Sequence, residues 1–176
     1  MKDIQVITGC MFAGKTTELI RRLNLINKNY LLVKPKVDTR DIDSQICTHD
    51  GLFETGIQVD CLSEISNKLK SIEVLGIDEA QFFKQSIVQD IKDISDRGII
   101  IIIAGLAKDY LNKPFGFMDE IIKISTSTTW LKAKCNQCNK PAEYSHRKTM
   151  NLSHQVLIGS SNEYEALCKM CFNTRQ

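Results

Sequence analysis

Apolar and polar positions alternate in blocks along the first two thirds of this chain. Ile4-Gln5-Val6-Ile7-Thr8 is an apolar run of strand length, and Thr17 to Ile26 carries its apolar residues at the spacing of one helical face. Tyr30-Leu31-Leu32-Val33 predicts a second strand, Leu62 to Lys70 a helix, Glu73 to Ile77 a strand, and Ser86 to Asp96 a helix. Ile99 to Ala104 is almost wholly β-branched, which suits a strand buried on both faces and therefore central. This alternation predicts an α/β fold with a parallel sheet flanked by helices. From about Thr126 paired cysteines, Asn, Ser and Thr take over, so the expected division is a unit over residues 1–128 and a small lobe over 129–176.

Composition narrows the ligand class. A length of 176 residues suits one compact domain with a small appendage. The net charge of +2 and the scattered Lys and Arg argue for a small anionic ligand and against a nucleic-acid partner. No apolar run approaches the roughly 20 residues of a membrane span, and the N-terminus lacks a signal-peptide core. A cytoplasmic protein with no membrane partner is expected. In that reducing setting seven cysteines favour metal binding or burial over disulfides.

Gly9-Cys10-Met11-Phe12-Ala13-Gly14-Lys15-Thr16 fits G-x-x-x-x-G-K-[ST] without mismatch, between a predicted strand and a predicted helix. In that context backbone N–H groups of residues 9–17 point at nucleotide phosphates, Lys15 reaches the outer phosphates, and Thr16 holds Mg²⁺. The fold class is therefore that of a P-loop nucleotide-binding sheet. Cys10 lies inside this loop, where neighbouring N–H dipoles are expected to lower its thiolate pKa. Farther on, Asp78-Glu79 ends the strand at Ile77. Asp78 is the candidate second Mg²⁺ ligand, and Glu79, pointing the other way, is the candidate base for an attacking hydroxyl.

Two C-x-x-C pairs, Cys135/Cys138 and Cys168/Cys171, supply four thiolates suited to tetrahedral Zn²⁺. With no position left for water the metal is expected to be structural; an iron–sulfur cluster uses the same ligand count. Closing this ring tethers the segment from about Met150 to Tyr164 as a loop able to cover a substrate. Cys47 and Cys61 are expected to be buried small residues.

Nearly the whole chain resembles, in collinear order, the zinc-containing, cytosolic type of thymidine kinase. The resemblance is carried by the phosphate loop, with Cys10 and Ala13 as departures; by Lys34-Pro35-Lys36-Val37-Asp38-Thr39-Arg40 and Thr48-His49-Asp50-Gly51; by Asp78-Glu79-Ala80-Gln81-Phe82-Phe83; by Gly105 to Tyr110 and Lys113 to Gly116; and by the four cysteines enclosing Ile158-Gly159 and Tyr164-Glu165. It implies phosphoryl transfer from ATP to the 5′-hydroxyl of thymidine or deoxyuridine, with Glu79 as base and Arg40 and Lys15 at the transferring phosphoryl. It also implies a substrate pocket of Met11, Asp38, Phe82, Leu106, Tyr110, Phe115 and Tyr164, with backbone groups around Leu157, Ile158 and Gly159 of a lasso-like loop reading the base. A homotetramer inhibited by the thymidine triphosphate end product is implied as well. Asp119, Glu120, His49, His146 and His154 receive no role. The alternative is a P-loop ATPase whose zinc ribbon binds nucleic acid.

Overall fold

The structure is a computed structural model that describes residues 2–37, 45–47, 53–148 and 162–175. In chain order its elements are β1 (Ile4–Gly9), α1 (Lys15–Leu25), β2 (Tyr30–Pro35), β3 (Gln45–Cys47), β4 (Phe53–Thr55), β5 (Ile57–Val59), β6 (Val74–Ile77), α2 (Ser86–Asp96), β7 (Ile100–Gly105), α3 (Met118–Ile124), β8 (Ser127–Leu131), β9 (Ala133–Lys134), β10 (Pro141–Ala142), β11 (Tyr144–Arg147), β12 (Tyr164–Leu167) and α4 (Lys169–Asn173). Six strands form one sheet in the order β5-β2-β6-β7-β1-β8, every pairing parallel. The isoleucine run forms β7, which lies between β6 and β1.

Alternation along the strands explains why both faces are apolar. Ile101 and Ile103 join Val6, Leu75 and Ile77 beneath α2 and α3, which contribute Ile87, Ile91, Met118 and Ile121. Ile102 and Ala104 face the opposite way with Ile7 and Leu32, against Leu19, Ile20 and Leu23 of α1. Each face is covered by helix, as a parallel sheet requires. The helix expected over Leu62 to Lys70 is instead two 3₁₀ turns, Leu62–Ile65 and Lys68–Lys70. The Glu64 carboxylate reaches back to the N–H groups of Asp60 and Cys61, and Ser63, Ser66 and Asn67 are polar residues that compete with helical hydrogen bonding.

Beyond β8 the chain builds the lobe from two short antiparallel ladders, β9–β10 and β11–β12, with α4 packed on the second. Tyr144 stacks on Phe172 at 4.6 Å between ring centroids. Because the six main strands are parallel, the loops after β1, β6 and β7 open at one edge of the sheet, where ligand sites of such folds lie. Among the described residues no helix is long and apolar enough to cross a membrane.

Candidate active site

The loop after β1 turns on Gly14, whose φ of +78° lies in the left-handed region that glycine enters freely, and α1 starts immediately at Lys15. Thr16 donates its hydroxyl to Asp78, at 3.2 Å to Oδ1 and 3.0 Å to Oδ2. Asp78 is itself fixed by its N–H, which donates to Val33 O at 2.8 Å, and only 4% of it is exposed. Two oxygens from separate elements thus converge at the helix N-terminus, a donor set that fits Mg²⁺ accompanying a nucleotide. The Lys15 ammonium lies 2.9 Å from Cys10 O.

Glu79 follows with φ 51° and ψ 42°, left-handed values unusual for a residue with a side chain and characteristic of functional sites. Its N–H donates to Asp78 Oδ1 at 3.0 Å, and its carboxylate has a partner of its own. Gln81, which the sequence reading left without a role, holds it: Nε2 donates to Glu79 Oε2 at 2.5 Å while Oε1 accepts the Leu106 N–H at 2.9 Å. Gln81 is 3% exposed and so ties the loop after β6 to the loop after β7. Lys34, the first residue of the Lys34–Arg40 motif, is 1% exposed near the end of β2, beside β6, which Asp78 follows.

The aromatic candidates cluster in parts. Phe82 and Phe115 meet edge to face at 5.5 Å between centroids. Tyr110 lies under the Arg147 guanidinium, 5.4 Å from its ring centroid, and Arg147 is paired across the β11–β12 ladder with Tyr164. Arg147 had the look of a scattered surface charge in the sequence; it is buried. The N–H of Met11 donates to Ser145 Oγ at 3.0 Å. A cavity of about 270 Å³ opens beside this contact, bounded by Gly9 and Cys10 of the phosphate loop, Ala107 and Asp109 of the loop after β7, and Tyr144 and Ser145 of the lobe. None of the six apolar and aromatic pocket candidates lines it, so this cavity adjoins the expected base pocket without being it. Asp38, Arg40, His49, His154, Leu157, Ile158 and Gly159 lie outside the described residues.

In the lobe the sulfur atoms of Cys135, Cys138, Cys168 and Cys171 lie within 4.8 Å of one another, and those of Cys138 and Cys168 are 3.5 Å apart. Tetrahedral Zn²⁺ with Zn–S bonds of about 2.3 Å sets its sulfurs about 3.8 Å apart, so the donors fit. Their protons compete: burial opposes ionisation of Cys135, but backbone hydrogen bonds outweigh it and draw its pKa down to about 6, while hydrogen bonds to Cys168 and Cys138 push Cys171 up to about 12. A dication lets all four ionise together. Cys10 departs from expectation. Burial pushes its thiol up rather than down, and Sγ donates to Ala142 O at 3.3 Å. Cys61 is only partly buried, with its sulfur 2.9 Å from Ser63 Oγ.

A parallel sheet with a glycine loop, a Thr–Asp pair and an adjacent carboxylate on a strained turn defines a P-loop enzyme that handles nucleoside triphosphates. Residues 2–172 match the family model described as thymidine kinase. A thymidine kinase of Mesoplasma florum is 35% identical across 96% of this chain and 90% of its own, and one from Porphyromonas gingivalis is 37% identical across 97% and 84%. The chain belongs to the thymidine kinase family, ATP-dependent phosphotransferases. Among solved structures, Bacteroides Pif1 bound to single-stranded DNA overlays 70% of this chain and 32% of its own at a TM-score of 0.38 and 18% identity, too loose a likeness to bear on function.

Proposed function

We propose that the protein phosphorylates the 5′-hydroxyl of thymidine, and of deoxyuridine, with ATP. N–H groups of the phosphate loop and Lys15 bind the triphosphate, and Glu79 takes the proton of the sugar hydroxyl as it attacks the γ-phosphorus in line. Arg40 spreads the charge that develops on the transferring oxygens. Mg²⁺ carried with ATP would sit between Thr16 and Asp78 and screen the phosphate charge. Met11, Asp38, Phe82, Leu106, Tyr110, Phe115 and Tyr164 enclose the nucleoside, with Leu157, Ile158 and Gly159 reading the base. Residues 1–128 act as the ATP-binding unit and 129–176 as the lobe whose loop covers the nucleoside. Feedback inhibition by thymidine triphosphate, a homotetramer and a cytoplasmic location complete the proposal.

The observation that supports this reading is the Thr16–Asp78 hydrogen bond beside a Glu79 carboxylate held by Gln81, an arrangement that suits one carboxylate for the metal and the next for the sugar hydroxyl. Purified protein with Mg-ATP and a panel of nucleosides is expected to form the monophosphates of thymidine and deoxyuridine. Glu79→Gln should lower kcat about 10²- to 10⁴-fold while both substrates still bind. Near wild-type turnover in that variant would refute Glu79 as base.

A further inference from the structure

The phosphate loop belongs to two bodies at once. Cys10 is buried in the same apolar cluster as the zinc-site residues Cys135 and Cys168, together with Ala142, Leu167 and Phe172, and Phe12 and Ala13 pack against it. Phe12 has a φ of 64°, a left-handed conformation that a phenylalanine adopts only when its surroundings impose it. Two hydrogen bonds then cross from the loop to the lobe: Cys10 Sγ to Ala142 O, and Met11 N–H to Ser145 Oγ.

The second of these falls on a singular peptide group. The bond joining Cys10 to Met11 presents its oxygen to Lys15 Nζ at 2.9 Å and its N–H to Ser145 Oγ at 3.0 Å. In a planar trans peptide these groups point in opposite directions, so the nucleotide-binding lysine and Ser145 hold one peptide plane from its two ends. Ser145 is 6% exposed, and the lobe fixes it in turn. It is paired across the β11–β12 ladder with Ala166, whose N–H is accepted by the Asn136 side chain and whose carbonyl accepts the Asn136 N–H, both at 2.9 Å. Asn136 lies inside the first C-x-x-C turn.

We propose that Ser145 is a positioning residue for phosphoryl transfer: it sets the orientation of the Cys10–Met11 peptide, and through it the placement of Lys15, and so couples the ATP cradle to the four-cysteine lobe. The proposal rests on the reading of residues 9–16 as that cradle. Without the hydroxyl the peptide loses the partner of its N–H and keeps only those of its oxygen, Lys15 Nζ and the Ala13 N–H at 3.4 Å, so its plane, and with it the acceptor of the lysine, shifts more readily. The Cys10 thiol, kept protonated by burial, is a second donor on the same latch.

The test uses the zinc-loaded full chain. Ser145→Ala should raise the KM for ATP, and the Kd of a non-hydrolysable ATP analogue, about fivefold, the net worth of one hydrogen bond. The KM for thymidine should stay within about twofold and zinc at one per chain, and Ser145→Thr, which keeps the hydroxyl, should restore ATP affinity. Hydrogen exchange of the Met11 amide in the free wild-type enzyme should be slow, a readout that needs no variant. Unchanged ATP affinity in Ser145→Ala, a change confined to thymidine, or exchange of the Met11 amide at the rate of an open loop would each overturn the proposal. A wild type that fails to bind Mg-ATP would overturn the cradle reading and this proposal with it. A wild type that binds beside a Ser145→Ala of equal affinity overturns the proposal alone.

Discussion

Glu79 is held in a left-handed backbone conformation that costs about 1–2 kcal/mol, its N–H on Asp78, its carbonyl on the Phe82 N–H and its carboxylate on Gln81. A Cβ on Gly116, where φ is +55°, would collide with the Gln81 backbone carbonyl, so this glycine is what lets the loop after β7 close over Gln81. Gln81→Leu removes the donor to Glu79 and the acceptor of the part-buried Leu106 N–H. It should lower kcat ten- to a hundredfold, with the KM for ATP unchanged, in steady-state kinetics; Gly116→Ala should act in the same direction by displacing Gln81. At this scale the sequence was uneven as a guide. Gly14, Lys15 and Thr16 stand in a local pattern legible from its spacing, and Asp78 was singled out by its place at a strand end, where the structure brings it to Thr16. Gln81 and Ser145 take their roles from the partners Leu106 and Met11, far away in the chain, and a single polar letter gives no sign of which distant N–H it will meet. The thiol of Cys10 was misjudged for the same reason: dipoles in its own loop were visible, whereas the lobe that buries it was not.

Among elements, α1 transmits most to the site because its first turn supplies Lys15 and Thr16. Glu18 in that turn accepts from Arg21 at 2.6 Å and from Arg22 at 2.8 Å, and Arg22 reaches on to Gln5 of β1 and Thr129 of β8. The hydrogen bond from Arg21, then that from Arg22, hold the Glu18 carboxyl at about 2, below its ordinary 4.5. A carboxyl with a lowered folded pKa contributes stability that is complete above about 4.5 and disappears as pH falls toward about 2. The urea midpoints of wild type and Glu18→Gln should therefore differ at pH 5 and converge as the pH drops toward 2. Longer elements were the more legible ones. Ser86 to Asp96 and the isoleucine run carry one periodicity from end to end, and both became the elements expected. Leu62 to Lys70 carries helical spacing too, but Glu64 spends its carboxylate on the backbone of Asp60 and Cys61, and the segment tightens into 3₁₀ turns.

Among the described residues there are two apolar cores on the faces of the sheet and a third shared between lobe and phosphate loop. The first two contain none of the four clustered cysteines, whereas Cys135 and Cys168 lie in the third. A structural Zn²⁺ contributes on the order of 10 kcal/mol to a lobe this small. Stripping the metal with a strong chelator should thus release β9 to β12 to rapid amide exchange while β6 and β7 stay protected. ATP affinity should fall with the metal content, as titration of the analogue at graded zinc occupancy would reveal. A change of composition near Thr126 was visible in the sequence. Contact between the parts was not, because neither Ser145 nor Ala142 differs in type from its neighbours on the surface.

The position of β1 in the sheet has a consequence for how the protein is made. Ile4 pairs with Ile101 and Gln5 with Ser127, so β1 has both neighbours about a hundred residues or more behind it in the chain. The acceptors to which its following turn is fastened, at 142 and 145, come later still, and the last residue of the four-cysteine cluster is Cys171. The turn after β1 therefore waits for partners 132 and 134 residues further along, and a chain released before that point lacks the contacts that fasten it.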